Sequence, residues 1–231
     1  MLQLDITGTL AKTITPSLGI PENDLATIKN TLKSYVEDFL KERSAGNHAW
    51  AMSPYDREVL GLVEDTAARL KRERIETIVW VGIGGSGLGP RVIKEVFETA
   101  ETPELIIVDT VDPAVIAAEL SIIDFQRTLL VIASKSGGTL EPTAAFFIME
   151  ERMKQALGDR AKERILVITD PKEGALKRYA DAEGYTTLPL HPDVGGRFSI
   201  FTPVGLLPLA LLGADLTSFL RGAKEMDTVC Q

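Results

Sequence analysis

The sequence predicts an α/β fold in which a doubly wound parallel sheet of about five strands is flanked by helices and preceded by an N-terminal helical arm. Three observations carry this prediction. Five short runs are apolar throughout, without polar alternation, as expected for strands covered on both faces. Stretches of helical length separate the runs, which is typical of parallel βαβ units. The 231 residues, 45% of them apolar, are enough to bury one good core.

The first predicted element is an amphipathic helix over residues 21–43. Its apolar residues recur at the spacing that lines one face of a helix, at Leu25, Ile28, Leu32, Val36, Phe39 and Leu40. Residues 44–52 have no such period and are predicted to form a connection. We therefore divide the chain into a helical arm, residues 1–50, and a domain, residues 51–231.

The domain is predicted to begin with a helix that starts at residues 53–56. Ser53 supplies a cap, Pro54 suits the first helical position, and Asp56 is an early acid. The five predicted strands then follow as residues 77–82, 105–109, 128–133, 165–169 and 186–190. In sheets of this kind ligands bind beyond the carboxyl ends of the strands, so function is expected in the loops after these runs.

Charge and cysteine content exclude several classes of function. The formal net charge of −8 argues against a nucleic-acid or anionic-membrane surface, because either partner needs a field of Lys and Arg. Cys230 is the single cysteine and cannot form an intrachain disulfide, which favours a reducing compartment and hence the cytoplasm. The N-terminus has no signal-peptide pattern. The most apolar stretch, residues 201–212, is too short for a membrane span.

A dense run of glycines follows the first predicted strand. Five glycines lie within residues 82–89, where they permit positive φ and close approach of backbone N–H groups to an anion. The spacing Gly82-x-Gly84-x-x-Gly87, with Asp109 closing the second strand 22 positions on, also satisfies the dinucleotide fingerprint. From this loop alone, a nucleotide site, another ligand site and a structural tight turn all stay open.

The loop after the third predicted strand is rich in hydroxyls and opens a helix. Ser134, Ser136 and Thr139 place hydroxyl donors beside the free N–H groups of a helix N-terminus, which suits a phosphate bound without a metal ion. Thr139 can cap the helix, and Pro142 is acceptable only in a first turn. A hydroxyl-rich cap without a ligand is the structural alternative. No Gly-Lys-Ser/Thr ends the loop, so it is not a Walker loop.

A third glycine-containing loop follows the last predicted strand. Residues 193–199 read DVGGRFS and precede an apolar helix that begins near Pro203. The glycine pair fixes an unusual backbone path, and Arg197 held there can offer a permanently charged fork to a sugar oxygen or a phosphate. Alternatively, Arg197 bonds carbonyl groups of its own loop. Residues 203–212 are apolar nearly all round, so we expect this helix to pack against material outside the chain.

These motifs resemble those of a known family. SKSGGT is similar to the phosphate loop of the sugar isomerase (SIS) domain, which also occurs in aminosugar-phosphate enzymes and in non-catalytic sugar-phosphate sensors. VGIGGSGLGP, SKSGGTLEP and VGGRFS, in this order over residues 80–213, closely resemble the phosphoglucose isomerase family. The resemblance implies an SIS-type sheet for residues 51–231. It also favours a sugar phosphate over a nucleotide, because a dinucleotide site would explain only the first loop.

The resemblance implies a reaction and a set of roles. Members interconvert glucose 6-phosphate and fructose 6-phosphate, in glycolysis and gluconeogenesis, by ring opening and an enediol, without a metal or an organic cofactor. Arg197 matches the arginine that stabilises the enediolate, and Glu141 a glutamate that helps to order the site. The positions implied to bind substrate, by the sugar-facing loop and the phosphate loop, are Gly85, Ser86, Ser134, Lys135, Ser136, Gly137 and Thr139.

The resemblance also implies that this sequence lacks part of the catalytic apparatus. The family supplies its base and ring-opening groups as a glutamate, a histidine and a lysine located after the point where this sequence stops. His48 and His191 stand in no recognisable catalytic pairing. We therefore expect sugar-phosphate binding with negligible turnover, and a homodimer. A non-catalytic sensor and an aminosugar-phosphate isomerase domain are the alternatives, and Arg197 within VGGRFS argues against both.

Overall fold

A computed structural model describes residues 5–230. They form two compact units, residues 5–47 and His48–Cys230. Within the described residues, no helix combines the length and the apolar character needed to cross a membrane.

The first unit contains one long helix, α1, over Glu22–Ser44. This confirms the helix predicted for residues 21–43. Its charges complement the helix dipole, because acids stand in the first turn and bases in the last, at Glu22, Asp24, Lys41 and Arg43.

The second unit is built on a five-stranded sheet in which every strand pair is parallel. This confirms the predicted fold class, and each predicted strand is present within one residue of its expected bounds. The strands are β1 Thr77–Val81, β2 Glu104–Val108, β3 Thr128–Ala133, β4 Ile165–Thr169 and β5 Thr186–Pro189. The helices of this unit are α2 Ala49–Met52, α3 Arg57–Leu70, α4 Gly85–Phe97, α5 Pro113–Ile122, α6 Leu140–Leu157, α7 Ala175–Glu183, α8 Pro203–Leu211 and α9 Leu216–Cys230.

Helices cover both faces of the sheet, as doubly wound architecture requires. Alternate residues of β1 point to opposite faces: Ile78 and Trp80 belong to one apolar cluster, and Val79 and Val81 to the other. The Trp80 face packs against α3, α4, α8 and α9. The opposite face packs against α5, α6 and α7. Both faces are buried, which explains why the strand sequences are apolar throughout.

The start of the domain differs in detail from the prediction. Residues 49–52, predicted as connection, form the short helix α2, and residues 53–55 form a 3₁₀ turn. Helix α3 begins at Arg57, because the Asp56 carboxylate accepts a hydrogen bond from the Val59 N–H at 2.9 Å. The cap is therefore Asp56 and not Ser53, whose hydroxyl donates to the Ala49 carbonyl instead.

The expectation that helix α8 packs against material outside the chain was wrong. All nine of its residues, Pro203–Leu211, are buried within the chain. The helix contacts α3, α4 and α9 and lies in the same cluster as the Trp80 face of the sheet. A helix that is apolar all round is a core helix in a large enough domain, and this domain is large enough to enclose it. The Thr202 hydroxyl caps it at the Val204 N–H, which confirms the predicted start.

The strand order β2-β1-β3-β4-β5 brings two of the candidate loops together. The chain leaves β1 toward β2 on one side, and then passes over β1 to reach β3 on the other. Successive connections run in opposite directions at β1 and β3, and the carboxyl ends of such strands are where ligands bind in sheets of this type. The glycine-rich loop follows β1, and the hydroxyl-rich loop follows β3.

Candidate functional site

The glycines after β1 make a tight turn possible. Gly84 has a φ of +60°, which a residue with a side chain rarely adopts. A Cβ on Gly87 would lie 2.4 Å from the Gly82 carbonyl oxygen, so only hydrogen fits there. The indole N–H of Trp80 donates to the Ser86 carbonyl at 2.8 Å and ties the loop to the strand beneath it. Part of the glycine density is thus structural.

The acid of the dinucleotide fingerprint is engaged elsewhere. The Asp109 carboxylate accepts a 2.6 Å hydrogen bond from Arg91, and both side chains are roughly half exposed. In a dinucleotide site this acid would bind the ribose hydroxyls. The observed ion pair with Arg91 gives Asp109 a different partner.

In the hydroxyl-rich loop, Ser136 and Thr139 are exposed and Ser134 is buried. Ser134 is 5% exposed and continues the sheet by donating its N–H to Ile168. The Ser136 and Thr139 hydroxyl oxygens lie 3.5 Å apart, and Ser136 also accepts from the Gly138 N–H. Thr139 occupies the cap position of α6, as predicted, but its hydroxyl bonds no N–H of that helix. Both residues are exposed, and they stand beside the first N–H groups of α6.

Gly137 fixes the path of this loop. Its φ is +62°, and a Cβ there would lie 2.7 Å from the Cβ of Leu176 on α7. Both the backbone conformation and the contact therefore exclude a side chain. The Lys135 ammonium donates to the Pro192 carbonyl at 2.8 Å, which links the loop to the segment after β5. The substrate-binding role that the resemblance implies for Lys135 stays a prediction.

The loop after β5 reaches the glycine-rich loop through backbone contact. A Cβ on Gly85 would lie 2.2 Å from the carbonyl carbon and oxygen of Gly196. Beside this contact the Ser199 hydroxyl donates to the Gly196 carbonyl at 2.7 Å, and it lies 3.5 Å from the Gly85 carbonyl. The structure therefore brings together all three loops that the sequence singled out.

Arg197 lies in the loop after β5, next to Gly196. The side chain is exposed, and no hydrogen bond or ion pair joins it to another residue within 5–230. The alternative that Arg197 bonds carbonyls of its own loop is not what the structure has. The neighbouring Phe198 ring stacks on Trp50 of α2, with ring centres 5.1 Å apart. Trp50 lay in the segment predicted as connection, so sequence reasoning missed this support.

Glu141 and the two histidines complete the predicted positions. Glu141 is exposed in the first turn of α6 and has no ion-pair partner among the described residues. His191 is exposed, and its Nδ1 accepts from the Asp193 N–H at 3.2 Å. His48 has left-handed backbone and an edge contact with Trp50. The structure brings neither histidine into contact with Glu141 or Arg197.

A fourth loop, which the sequence reasoning passed over, supports the phosphate loop from below. The Thr169 hydroxyl at the end of β4 donates to the Ser134 carbonyl at 2.8 Å, and the Asp170 N–H donates to the Lys135 carbonyl at 3.3 Å. Hydrogen bonding from the Lys172 N–H lowers the pKa of Asp170. The available signal was position, because residues 170–174 follow a buried strand and lie at the carboxyl ends of the sheet.

A separate polar cluster lies near the amino ends of β4 and β5, beside a cavity of about 480 Å³. Buried Glu150 accepts hydrogen bonds from Tyr179 at 2.9 Å and Tyr185 at 2.5 Å. Burial and the Glu150 charge raise the pKa of Tyr179 to about 12, and they raise the pKa of Tyr185 as well. Burial alone would lower the pKa of Lys154, but its acceptors Glu183 and Tyr185 together raise it. These charges satisfy one another, which indicates a structural network.

The chain is similar in sequence to glucose-6-phosphate isomerases. Residues 67–230 match the family described as Phosphoglucose isomerase. A glucose-6-phosphate isomerase of Carboxydothermus hydrogenoformans is 33% identical over 221 residues, which cover 91% of this chain and 47% of the relative. The chain spans about half the length of the curated relatives it matches.

Solved structures agree with the sequence comparison. A hypothetical protein from Thermus thermophilus superposes with a TM-score of 0.82 and 34% identity, covering 89% of this chain and 49% of that one. A glucose-6-phosphate isomerase from Chlamydia trachomatis superposes with a TM-score of 0.63 and 28% identity, covering 78% and 38% respectively. The five-stranded sheet is therefore of the sugar isomerase type. Because the family match extends over most of the sequence and includes all three loops that meet at the sheet edge, this chain belongs to the phosphoglucose isomerase family.

Proposed function

We propose that this chain is the sugar-phosphate-binding half of an aldose–ketose isomerase that interconverts glucose 6-phosphate and fructose 6-phosphate through an enediol. The observation that carries the proposal is the junction of the three loops at the carboxyl ends of β1 and β3. A hydroxyl-rich helix start, a glycine turn and an exposed arginine converge there. The helix start can bind the phosphate, and the other two features can contact the sugar.

The phosphate binds to the loop after β3. Ser136 and Thr139 present hydroxyls next to the first N–H groups of α6, whose positive end favours an anion. Ser134 and Gly137 shape the floor of the site, and Lys135 holds it to the segment after β5. About three hydrogen bonds to a charged group, less the cost of immobilisation, give an affinity on the order of tens of micromolar to millimolar.

The sugar lies between the other two loops. Gly85 and Ser86 face it from one side, and Arg197 from the other. Removing a proton beside a carbonyl creates an oxyanion, and a fixed guanidinium lowers the barrier by stabilising that charge. Glu141, exposed in the first turn of α6, helps to order the site.

The catalytic base and the ring-opening groups belong to the other half of the family enzyme. His191, in the segment after β5, is exposed and bonded within its own turn. The isolated 231-residue chain is therefore expected to bind substrate without turning it over. The assembled enzyme is proposed to be a homodimer of the cytoplasm, acting in glycolysis and gluconeogenesis without a metal or an organic cofactor.

The proposal is tested by mapping backbone-amide chemical shifts in the 231-residue chain. Fructose 6-phosphate, inorganic phosphate and NAD are titrated in parallel. We expect the first two to perturb residues 134–143, fructose 6-phosphate alone to perturb residues 85–86 and 196–198, and NAD to perturb neither set. Shifts from NAD at residues 82–87, or no response to either phosphate, would contradict the proposal. Robust isomerase turnover in a coupled assay would contradict the assignment of the base to the other half.

A further inference from the structure

Thr169, the last residue of β4, contacts the beginning of the phosphate loop. It is 1% exposed, and its hydroxyl donates a 2.8 Å hydrogen bond to the Ser134 carbonyl. The same oxygen lies 3.5 Å from the Lys135 carbonyl. Burying a hydroxyl without a hydrogen-bond partner costs free energy, so the Thr169 hydroxyl is expected to keep its bond to the Ser134 carbonyl.

The contact stands where the regular ladder between β3 and β4 ends. The last paired residues are Ala133 and Ile168, and the Ser134 N–H still donates to the Ile168 carbonyl at 3.0 Å. Beyond this point β3 turns into the phosphate loop, and the Thr169 hydroxyl takes the Ser134 carbonyl. Thr169 is itself fixed on its other side, because its own carbonyl accepts from the Leu190 N–H at 2.8 Å.

We propose that Thr169 is a positioning residue of the phosphate site. Its hydroxyl fixes the direction in which residues 134–139 leave β3, and so places the Ser136 and Thr139 hydroxyls for the phosphate. The inference rests on the proposed function, since it assumes that this loop binds phosphate. A second contact from the same segment supports it: a Cβ on Gly174 would lie 3.0 Å from the Ser136 carbonyl. Thr169 thus bonds the start of the Ser134-to-Ser136 turn, and Gly174 lies close to its end.

The test replaces the hydroxyl without changing the shape of the side chain. Thr169→Val removes the donor and leaves the Ser134 carbonyl buried without it, whereas Thr169→Ser keeps the donor. We expect Thr169→Val to weaken binding of inorganic phosphate and of fructose 6-phosphate roughly tenfold, the effect of one lost hydrogen bond. Thr169→Ser should stay within about threefold of the unmodified chain. Thr169→Ala, which also lacks the hydroxyl, repeats the test if valine prevents folding.

Thr128 offers a matched control at the opposite end of the neighbouring strand. It is fully buried, and its hydroxyl donates to the Asp124 carbonyl at 2.8 Å, at the edge of the sheet remote from the loops. Thr128→Val should lower the melting temperature about as much as Thr169→Val, but leave phosphate affinity unchanged. Affinities are measured by amide chemical-shift titration, which also reports whether residues 134–139 have moved.

The outcomes separate the inference from the function on which it rests. Unchanged phosphate affinity in a folded Thr169→Val variant, with binding intact in the unmodified chain, would overturn the positioning role alone. Equal weakening by Thr128→Val would also overturn it, because the loss would then reflect general destabilisation. If the unmodified chain binds neither phosphate nor fructose 6-phosphate, the proposed function fails and this inference fails with it.

Discussion

The contact between Gly85 and Gly196 offers the sharpest test of the site. Gly85 is the first residue of α4 and has no positive φ, so alanine would be acceptable there on backbone grounds. The added Cβ would nevertheless lie 2.2 Å from the Gly196 carbonyl, where ordinary van der Waals contact begins at 3.4 Å. The atoms in contact belong to backbone, and no flexible side chain can move aside. The glycine-rich loop and the loop after β5 must therefore separate by roughly 1 Å.

This separation should affect stability and binding to different extents. Forcing one methyl group into a packed contact costs about 1–3 kcal/mol, so we expect Gly85→Ala to lower the free energy of unfolding by that amount. The atoms nearest to the added Cβ belong to Gly196 and not to the phosphate loop, so inorganic phosphate should bind as before. In the proposed site, fructose 6-phosphate needs both loops at once. Misplacing an oriented group by about 1 Å can cost up to about a hundredfold in what that group contributes. The affinity for fructose 6-phosphate should therefore fall at least several-fold.

The assay combines urea unfolding with amide-shift titration of both ligands. Gly89→Ala is the matched control, because it lies in the same helix and a Cβ there would meet nothing within 4 Å. This control should be stabilised by about 0.5–1 kcal/mol through helix propensity, with both affinities unchanged. A Gly85→Ala variant as stable as the control, with full affinity for fructose 6-phosphate, would refute the reasoning that the two loops form one site.

Three further predictions concern other contacts. Trp80→Phe removes the indole hydrogen bond to the Ser86 carbonyl, so thermal or urea unfolding should report a loss of about 1–3 kcal/mol. Arg197→Lys should leave stability within about 0.5 kcal/mol but weaken a sugar-phosphate hydroxamate, which mimics the enediolate, about tenfold in a binding titration. Tyr179 has a pKa raised from 10.0 to about 12, because it is buried beside Glu150. Its neutral form stabilises the fold below pH 10, and this contribution should disappear as the pH rises from 10 to 12.

Each of these has its own control. Tyr179→Phe cannot ionise, so its unfolding free energy should fall less steeply between pH 10 and 12; equal slopes would contradict the assignment. Undiminished stability of Trp80→Phe would mean that the Ser86 carbonyl finds another donor. For Arg197→Lys, inorganic phosphate is the reference ligand, and a parallel loss of its affinity would contradict a role confined to the enediolate.

The sheet could be predicted because its signal is local. Strands such as β3 are buried on both faces, so each residue independently favours an apolar side chain, and the run is visible without knowledge of its neighbours. The cap of α3 was harder, since Ser53 and Asp56 are both good caps. The choice depends on whether residues 53–55 continue the helix or form a separate 3₁₀ turn, which a sequence pattern does not determine.

Long-range contacts explain what the sequence could not reveal. The glycines at 85 and 196 were each recognisable as permissive, but only the fold shows that they face each other. Thr169 was invisible because a threonine at the end of a strand is common, and its role depends on a carbonyl 35 positions away. The prediction for α8 failed for the same reason. An apolar helix predicts burial, but the sequence does not show that the residues that bury it lie elsewhere in the same chain.

The burial of α8 has a consequence for the order in which the domain can fold. This helix closes the core over the Trp80 face of the sheet, yet it follows all five strands in the sequence. A growing chain must therefore finish every strand before the segment that shields them leaves the ribosome. During that interval β1, β3 and the inner faces of α3 and α4 remain uncovered, a state that invites misassociation and chaperone binding. Residues 203–211, with α9 after them, then complete this side of the core.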